Sequence, residues 1–296
     1  MIRPLDLGLG LGVAVIWGLA FVETKIALQT FTAPQLAALH FLIAAAPVLF
    51  LARPQVPWRV LVPIGLTLYA GQFLFQFYGI AYGMPPGLAS VIVQTQAVYT
   101  VLFAMALGER ATRRQMTGIA GACVGLGLIA ATIGQGLTLV GFCLTMVSPI
   151  SFGIGNILLK RLGKRFGDIE MMNLVTWLSL VVPLPMLALS LHLDGPEALA
   201  HALTHATWRE LAAVLYLGAI ATTLAYAVWG KLLHAYAAAQ VAPFALLVPI
   251  VAALASSIVF GEEFGPLRLA GMACVLTGLT IIVLPRDRLR SMFVRS

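Results

Sequence analysis

Long apolar runs alternate with short polar connectors along the whole chain. Each run is about twenty residues, the length of a helix that crosses a hydrocarbon core roughly 30 Å thick. The pattern predicts ten membrane-spanning helices, at about 5–29, 33–52, 58–82, 85–107, 113–133, 137–160, 169–193, 208–233, 238–260 and 266–285. The predicted fold class is therefore an all-α membrane protein.

The composition excludes most other classes of protein. Hydrophobic residues make up 60% of the chain and charged residues 10%, and the mean hydropathy is +0.98. Soluble domains carry about 25% charged residues, so a secreted protein, a cytosolic enzyme and a disordered chain do not fit. The three cysteines all lie inside apolar runs, which leaves no disulfide framework or metal cluster to predict.

The basic residues predict the orientation in the membrane. With the amino terminus inside, fifteen of the 18 Lys and Arg residues fall in or beside cytoplasmic segments, and the exceptions are Lys25, Arg209 and Arg268. Cytoplasmic loops retain positive charge, so both termini are predicted to be cytoplasmic. The net charge of +7 is then explained by the orientation of the chain in the membrane, and no nucleic-acid partner is expected.

The two halves of the chain repeat each other. Leu107-Gly108-Glu109-Arg110 is echoed by Phe260-Gly261-Glu262-Glu263 at an offset of 153, and the stretch 17–25 aligns with 152–160 at an offset of 135. Each half, 1–133 and 137–290, then holds five spans. Because five is odd, the halves must face opposite ways across the bilayer. Two inverted five-helix repeats are an architecture of secondary transporters, with the substrate site near the midplane.

Polar and aromatic residues at mid-depth are the candidate substrate site, because such residues are costly inside a membrane. The candidates are Trp17, Gln72, Gln76, Gln96 and Tyr99 at the centre, with Tyr78, Tyr82, Asn156, Trp177 and Trp229 along the path. Thr222 and Tyr226 lie on the same helical stripe as Trp229. The alternative is that these side chains only form hydrogen bonds between helices, each contributing about 0.6 kcal/mol.

Titratable groups inside the spans are few. Glu23 and Lys25 lie in the outer third of the first span, and His40 lies in the second. Glu23 is a candidate for proton coupling, but its position near a span end favours a solute gradient or loose coupling instead. The sequence contains no phosphate-binding loop and no hydrolase motif, so direct ATP coupling, enzymatic activity and a cofactor are not expected.

Three motifs carry a family resemblance that covers essentially the whole chain. Trp17-Gly18-Leu19-Ala20-Phe21 through Lys25, the stretch Gly83-Met84-Pro85-Pro86-Gly87-Leu88-Ala89-Ser90, and Gly108-Glu109-Arg110 resemble the EamA family of the drug/metabolite transporter superfamily. The resemblance implies ten helices in two inverted repeats around a central cavity that opens to one side at a time. His40 departs from it, since many relatives have arginine there.

The resemblance implies a bacterial inner-membrane exporter of amino acids or related small metabolites, with broad specificity and alternating access. A narrow exporter of O-acetylserine, cysteine, other metabolites, drugs or sugar phosphates is the alternative within transport. An intramembrane enzyme or a structural subunit is the alternative outside it. The partners implied are the small-molecule substrate and membrane lipid. A monomer is compatible with the sequence, which does not fix the oligomeric state.

Overall fold

The computed structural model describes residues 2–167 and 169–283, and this part of the chain contains helices and no strand. The helices are α1 (Pro4–Ala27), α2 (Ala33–Leu49), α3 (Trp58–Ala81), α4 (Pro86–Ala106), α5 (Arg113–Ala130), α6 (Leu139–Phe166), α7 (Met171–Leu193), α8 (Ala198–His205), α9 (Trp208–Ala235), α10 (Ala238–Phe260) and α11 (Pro266–Val283). The ends of the predicted second repeat and of the last span, beyond 283, lie outside the described residues.

Within the described residues, eight helices are long and apolar enough to cross a membrane, namely α1, α3, α4, α6, α7, α9, α10 and α11. The second predicted span coincides with α2, which is apolar but shorter. The fifth coincides with α5, whose first residues Arg113, Arg114 and Gln115 lower its average hydropathy. The structure thus supports a multi-pass membrane protein. The predicted connector 194–207 differs from expectation because it contains the short helix α8.

Polar caps and prolines determine where several helices begin. Thr32 accepts a hydrogen bond from the backbone N–H of Gln35, whose side chain accepts one in return from the Thr32 N–H, at the start of α2. Thr112 and Gln115 repeat this arrangement at the start of α5. Such reciprocal caps satisfy backbone donors that the first turn leaves unpaired.

Two helices widen to π-helical geometry at corresponding points of the two halves. The widened stretches are Leu66–Gly71 in α3 and Tyr216–Leu224 in α9, whose first residues lie 150 positions apart. A π-helical turn inserts an extra residue and re-aims the side chains that follow it. The residues that follow are Gln72 in α3 and Ala225 in α9, next to Tyr226.

Apart from the short α8, the helices pack against neighbours from the other half of the chain. α1 packs along α10 and α9, and α6 packs along α4 and α3. The remaining extensive contacts join α2 to α7, α4 to α10 and α5 to α11. The core of the bundle therefore lies between the halves.

The closest helix pair, α5 and α11, approaches through glycines. A Cβ atom at Gly118 would lie 2.6 Å from the Gly278 carbonyl oxygen, and one at Gly125 would lie 2.5 Å from the Gly271 carbonyl oxygen. Only residues without a side chain allow two helix backbones to come this near. The contact replaces side-chain packing by direct backbone contact.

Ion pairs join the halves at both ends of the bundle. We call the end where α1 begins the amino-terminal end and the end where α1 finishes the distal end. Lys160 Nζ lies 2.6 Å from Glu109 Oε1 at the amino-terminal end. Lys25 Nζ lies 3.5 Å from Glu262 Oε1 at the distal end.

Candidate functional site

A cavity of about 260 Å³ lies among the central parts of the helices. Its wall comes from α1, α2, α3 and α4 of the first half and from α6, α9 and α10 of the second. The described residues of this wall include no Asp, Glu, Lys or Arg. The volume is below the roughly 300–1,000 Å³ of pockets for drug-sized ligands, which suits a small solute.

One side of the cavity is aromatic. The Trp17 ring centroid lies 5.3 Å from that of Tyr226 and 5.1 Å from that of Trp229, and all three residues line the cavity. The Trp17 indole N–H donates a hydrogen bond to the backbone carbonyl of Ala221, 2.9 Å away, inside the π-helical stretch of α9. This bond joins the Trp17 ring to the other half of the chain.

The cavity wall also carries amide groups. Gln72 and Gln76 lie one turn apart on α3, each is 5% exposed, and the Gln72 Nε2 donates to the Gln76 Oε1 at 3.3 Å. The Gln72 Oε1 and the Gln96 Oε1 are buried without a hydrogen-bond partner among the described residues. A buried amide oxygen without a partner costs free energy, which a bound solute with an N–H or ammonium group would recover.

Two glutamines of α4 reach the cavity from positions that an unbroken helix would separate. In a regular helix, residues i and i+2 point in nearly opposite directions. Gln94 and Gln96 nevertheless both line the cavity. Thr95 explains this, because its N–H and its hydroxyl both bond to the Ile92 carbonyl, at 2.9 and 2.6 Å. The tight turn interrupts α4 and re-aims the side chains on either side of it.

A second cavity of about 360 Å³ adjoins the first towards the amino-terminal end. The two share Gln94, Gln96, Trp229 and Ala245. Asn156 of α6 lines the second cavity and donates to the Thr100 hydroxyl at 3.1 Å. The second cavity therefore lies next to the first, on the side of the amino-terminal end.

The structure brings together six of the ten candidate residues and leaves four apart. Trp17, Gln72, Gln76, Gln96 and Trp229 line the central cavity, and Asn156 lines its neighbour. Tyr78, Tyr82, Tyr99 and Trp177 line neither cavity. These four make aromatic pairs instead, Tyr78 with Tyr82, Tyr99 with Phe103, and Trp177 with Trp58.

The titratable residues of the spans take different positions. His40 is 1% exposed, lines the central cavity, and its Nε2 lies 2.7 Å from the Thr222 hydroxyl. Glu23 is partly buried and lines neither cavity. The described residues hold no group of three His, Cys, Asp or Glu side chains placed to bind a metal ion.

Sequence reasoning placed Thr222 and Tyr226 on the stripe of Trp229 but did not include them in the candidate site. It also omitted Gln94, Thr24 and Ser90, which line the cavity. The stripe at i, i+4 and i+7 was the usable signal for the α9 residues. Gln94 gave no such signal, since only the turn at Thr95 directs it inward.

The chain is similar to known transporters over nearly its full length. The EamA-like transporter family model matches residues 6–131 and 139–284. Proteins from Salmonella typhimurium and Escherichia coli, each named "Probable amino-acid metabolite efflux pump", are 40% and 38% identical over 279 residues, which is 93% of this chain and of each relative. A "Probable terminal-alkyne amino-acid exporter" from Streptantibioticus cattleyicolor is 27% identical, covering 90% of both chains.

One solved crystal structure shares the fold. Its TM-score is 0.63 at 18% identity, covering 97% of this chain and 99% of that one. The two matched segments of the family model, 6–131 and 139–284, together take in every helix that lines the central cavity. The chain belongs to the EamA-like transporter family.

Proposed function

We propose that this protein exports amino acids or related small metabolites from the cytoplasm, with broad specificity. The observation that carries the proposal is the uncharged central cavity, whose wall combines amide side chains with aromatic rings. Amides offer both donors and acceptors, so they match the ammonium and the carboxylate of a zwitterion without binding a net charge. The rings cover an apolar side chain. The names of the two efflux-pump relatives support the same substrate class.

The proposal includes two inverted five-helix repeats, 1–133 and 137–290, and therefore ten spans. The glycine contacts of α5 and α11 support it. At the repeat offset of 153, Gly118 corresponds to Gly271 and Gly125 to Gly278. Gly118 contacts Gly278 while Gly125 contacts Gly271. Exchanging each glycine for its equivalent turns the first contact into the second. Two copies related by a two-fold axis make their contacts in such exchanged pairs.

The helix neighbours support the same symmetry. Exchanging the halves replaces the contact of α1 with α10 by that of α6 with α4, and the contact of α3 with α6 by that of α9 with α1. All four contacts are extensive. The pairs α2 with α7, α4 with α10 and α5 with α11 map onto themselves, as pairs across an axis must.

Alternating access follows from this symmetry. A cavity built between two copies of one fold has two equivalent ways to close, one at each end, and rocking one repeat against the other exchanges them. We propose that the solute binds in the central cavity and leaves by whichever end is open. The site lies in the bacterial inner membrane, with the amino-terminal end of the bundle in the cytoplasm.

The test is solute exchange by purified protein in liposomes. Vesicles preloaded with an unlabelled neutral amino acid should take up the same labelled amino acid without a pH gradient or ATP, because no carboxylate among the described residues lines the cavity. Empty vesicles and the Trp17→Ala variant are the controls. Exchange restricted to one cysteine-pathway compound would favour the narrow exporter, and exchange of no amino acid would refute the proposal.

A further inference from the structure

The two inter-repeat ion pairs are one contact made twice. Lys25 corresponds to Lys160 at the offset of 135, and Glu262 corresponds to Glu109 at the offset of 153. Lys25 pairs with Glu262 and Lys160 with Glu109, so each lysine binds the glutamate of the other repeat. The pairs lie at opposite ends of the bundle. Each joins the first helix of one repeat to the connector after the fourth helix of the other.

The same local geometry presents both glutamates. A glycine with positive φ precedes each one, Gly261 at 65° and Gly108 at 91°, at the end of α10 and of α4. Glycine adopts this left-handed conformation without strain and is the common residue at a helix end. The glutamates therefore leave their helices in matching ways, and any difference between them arises from their surroundings.

The surroundings of Glu262 are closed. Its Oε2 accepts a hydrogen bond from the Gly87 backbone N–H at 3.3 Å, at the beginning of α4, and its side chain is 9% exposed. Every residue of α4 from Pro86 to Val93 is buried. A Cβ atom at Gly87 would lie 2.6 Å from the Phe264 ring, so glycine is needed for this approach. A carboxylate on the free amides of a helix N-terminus is a favourable contact.

The surroundings of Glu109 are open. The equivalent of Gly87 is Gln240, whose N–H donates to the Ala237 carbonyl at 2.7 Å and not to Glu109. The Glu109 side chain is 52% exposed. The nearby α10 residues Ala242 and Leu246 line the second cavity. Hydrogen bonding to Lys160 holds the pKa of Glu109 below its ordinary value, so this carboxyl is charged at neutral pH.

We propose that Glu262 and Glu109 are alternating latches of the transport cycle, a role that rests on the proposed alternating access. In the conformation described here Glu262 caps α4 and holds the distal end shut. In the opposite conformation Glu109 caps α10 at Gln240 and holds the amino-terminal end shut, while Glu262 releases Gly87. Each lysine keeps its glutamate paired in both states, so no released carboxylate is left uncompensated.

The latch makes the two carboxylates act in opposite directions. Glu262→Gln weakens the closed distal end and should shift the population towards distal opening. Glu109→Gln weakens the conformation that is closed at the amino-terminal end, so the protein should stay in the conformation described here. Glu263→Gln is the matched control, because this neighbouring glutamate is exposed and its side chain makes no ion pair among the described residues.

Cysteine labelling measures the two populations without requiring transport. The reporters are Ser90→Cys near the distal latch and Ala242→Cys in the second cavity, each in a detergent-solubilised protein whose native cysteines are replaced by alanine. Glu262→Gln should raise the ratio of Ser90→Cys to Ala242→Cys labelling rates about tenfold, the change expected for one lost charge-assisted hydrogen bond. Glu109→Gln should leave it equal or lower, and Glu263→Gln should leave it unchanged.

Two further variants keep the test decisive. Gly87→Ala leaves the charges intact but forces Phe264 away, so it should shift the ratio in the same direction as Glu262→Gln. The exchange Lys25→Glu with Glu262→Lys restores an ion pair but places an ammonium at the α4 N-terminus, where it is unfavourable. A latch therefore stays released in the exchanged variant, whereas a purely structural ion pair would be restored.

The outcomes separate this inference from the proposed function. Opposite behaviour of Glu262→Gln and Glu109→Gln supports the latch even if the wild-type liposomes exchange no amino acid, which would refute only the substrate class. Equal shifts in both variants, or a labelling ratio in Glu262→Gln like that in Glu263→Gln, would overturn the latch. Full recovery of the ratio in the charge-exchanged variant would overturn it as well.

Discussion

Four glutamine side chains contribute amide groups to the wall of the central cavity. The Gln72 and Gln96 amides each bury an oxygen without a partner among the described residues, and both belong to the first half of the chain. The aromatic part of the wall combines Trp17 with Tyr226 and Trp229 of α9. A solute between them would contact both halves at once. Such a contact is needed if binding is to respond to movement of one half against the other.

We expect Gln72→Ala to lower solute exchange roughly five- to 150-fold, because a solute group that bonded the amide would lose about 1–3 kcal/mol. Tyr82→Ala, at the residue that directly follows α3, is the control. Tyr82 is 56% exposed and lines neither cavity. The solute exchange rate of the Tyr82→Ala variant should therefore stay near that of the wild type. Exchange measured in liposomes, with folded protein quantified by thermal unfolding, checks both. A loss in Gln72→Ala that only follows lost folded protein would contradict the binding role.

At the scale of residues, the sequence predicts how deep a side chain lies in the membrane better than whether it faces the cavity. Trp17, Gln72 and Gln96 reach the cavity because the spans that carry them cross at mid-depth, which counting along each span reveals. Tyr99 has a comparable depth but contacts Phe103 instead of the cavity. The turn at Thr95 decides which α4 residues face inward. Threonine is compatible with a regular helix, so its presence does not predict a break.

At the scale of elements, irregular geometry occurs where the site needs it. The π-helical stretches of α3 and α9 end just before Gln72 and Tyr226, and the broken turn of α4 lies between Gln94 and Gln96. Hydrophobic periodicity predicts the helices themselves, because apolar runs of this length have one stable form in a bilayer. It does not predict these departures, which depend on contacts with helices of the other half.

Close glycine packing between α5 and α11 gives a prediction of its own. Gly125→Ala places a Cβ atom 2.5 Å from the Gly271 carbonyl oxygen, a backbone atom that cannot rotate away. We expect a destabilisation of about 1–3 kcal/mol. Gly127→Ala in the same helix has nothing within 4 Å of its new Cβ and should be neutral or gain up to about 1 kcal/mol.

Unfolding of the purified protein in detergent measures this difference. The paired variants share helix, chemistry and near-identical position, so helix propensity cancels between them. Equal stability of the two alanine variants would mean that α5 and α11 do not approach as described.

At the scale of the whole molecule, the repeat is the feature that the sequence reveals most directly. Two short motifs recur at fixed offsets in the sequence, and the structure joins Lys25 to Glu262 and Lys160 to Glu109. The sequence does not reveal which end is closed. Both ends carry a lysine–glutamate pair, and Glu262 also accepts a hydrogen bond from the Gly87 N–H. In the alternating access that we propose, the choice between the two states depends on small energy differences of this kind.

The orientation of the molecule in the membrane determines which of the two ion pairs faces the cytoplasm. Most basic residues of the described chain lie towards the amino-terminal end of the bundle, including Lys160 and its neighbours Arg161, Lys164 and Arg165 at the end of α6. Positive charge is retained on the cytoplasmic side during insertion. We therefore expect this end, and the Lys160–Glu109 pair, to face the cytoplasm.

Labelling of intact cells with a membrane-impermeant maleimide measures this orientation. Gln135→Cys and Ala200→Cys, both exposed at the distal end, should react in intact cells, in a protein whose native cysteines are replaced by alanine. Gln55→Cys, exposed at the amino-terminal end, should react only after the membrane is permeabilised. Reaction of Gln55→Cys in intact cells, with protection of the other two, would invert the topology. The second cavity would then open outward, and the conformation described here would be the one that releases the solute outside the cell.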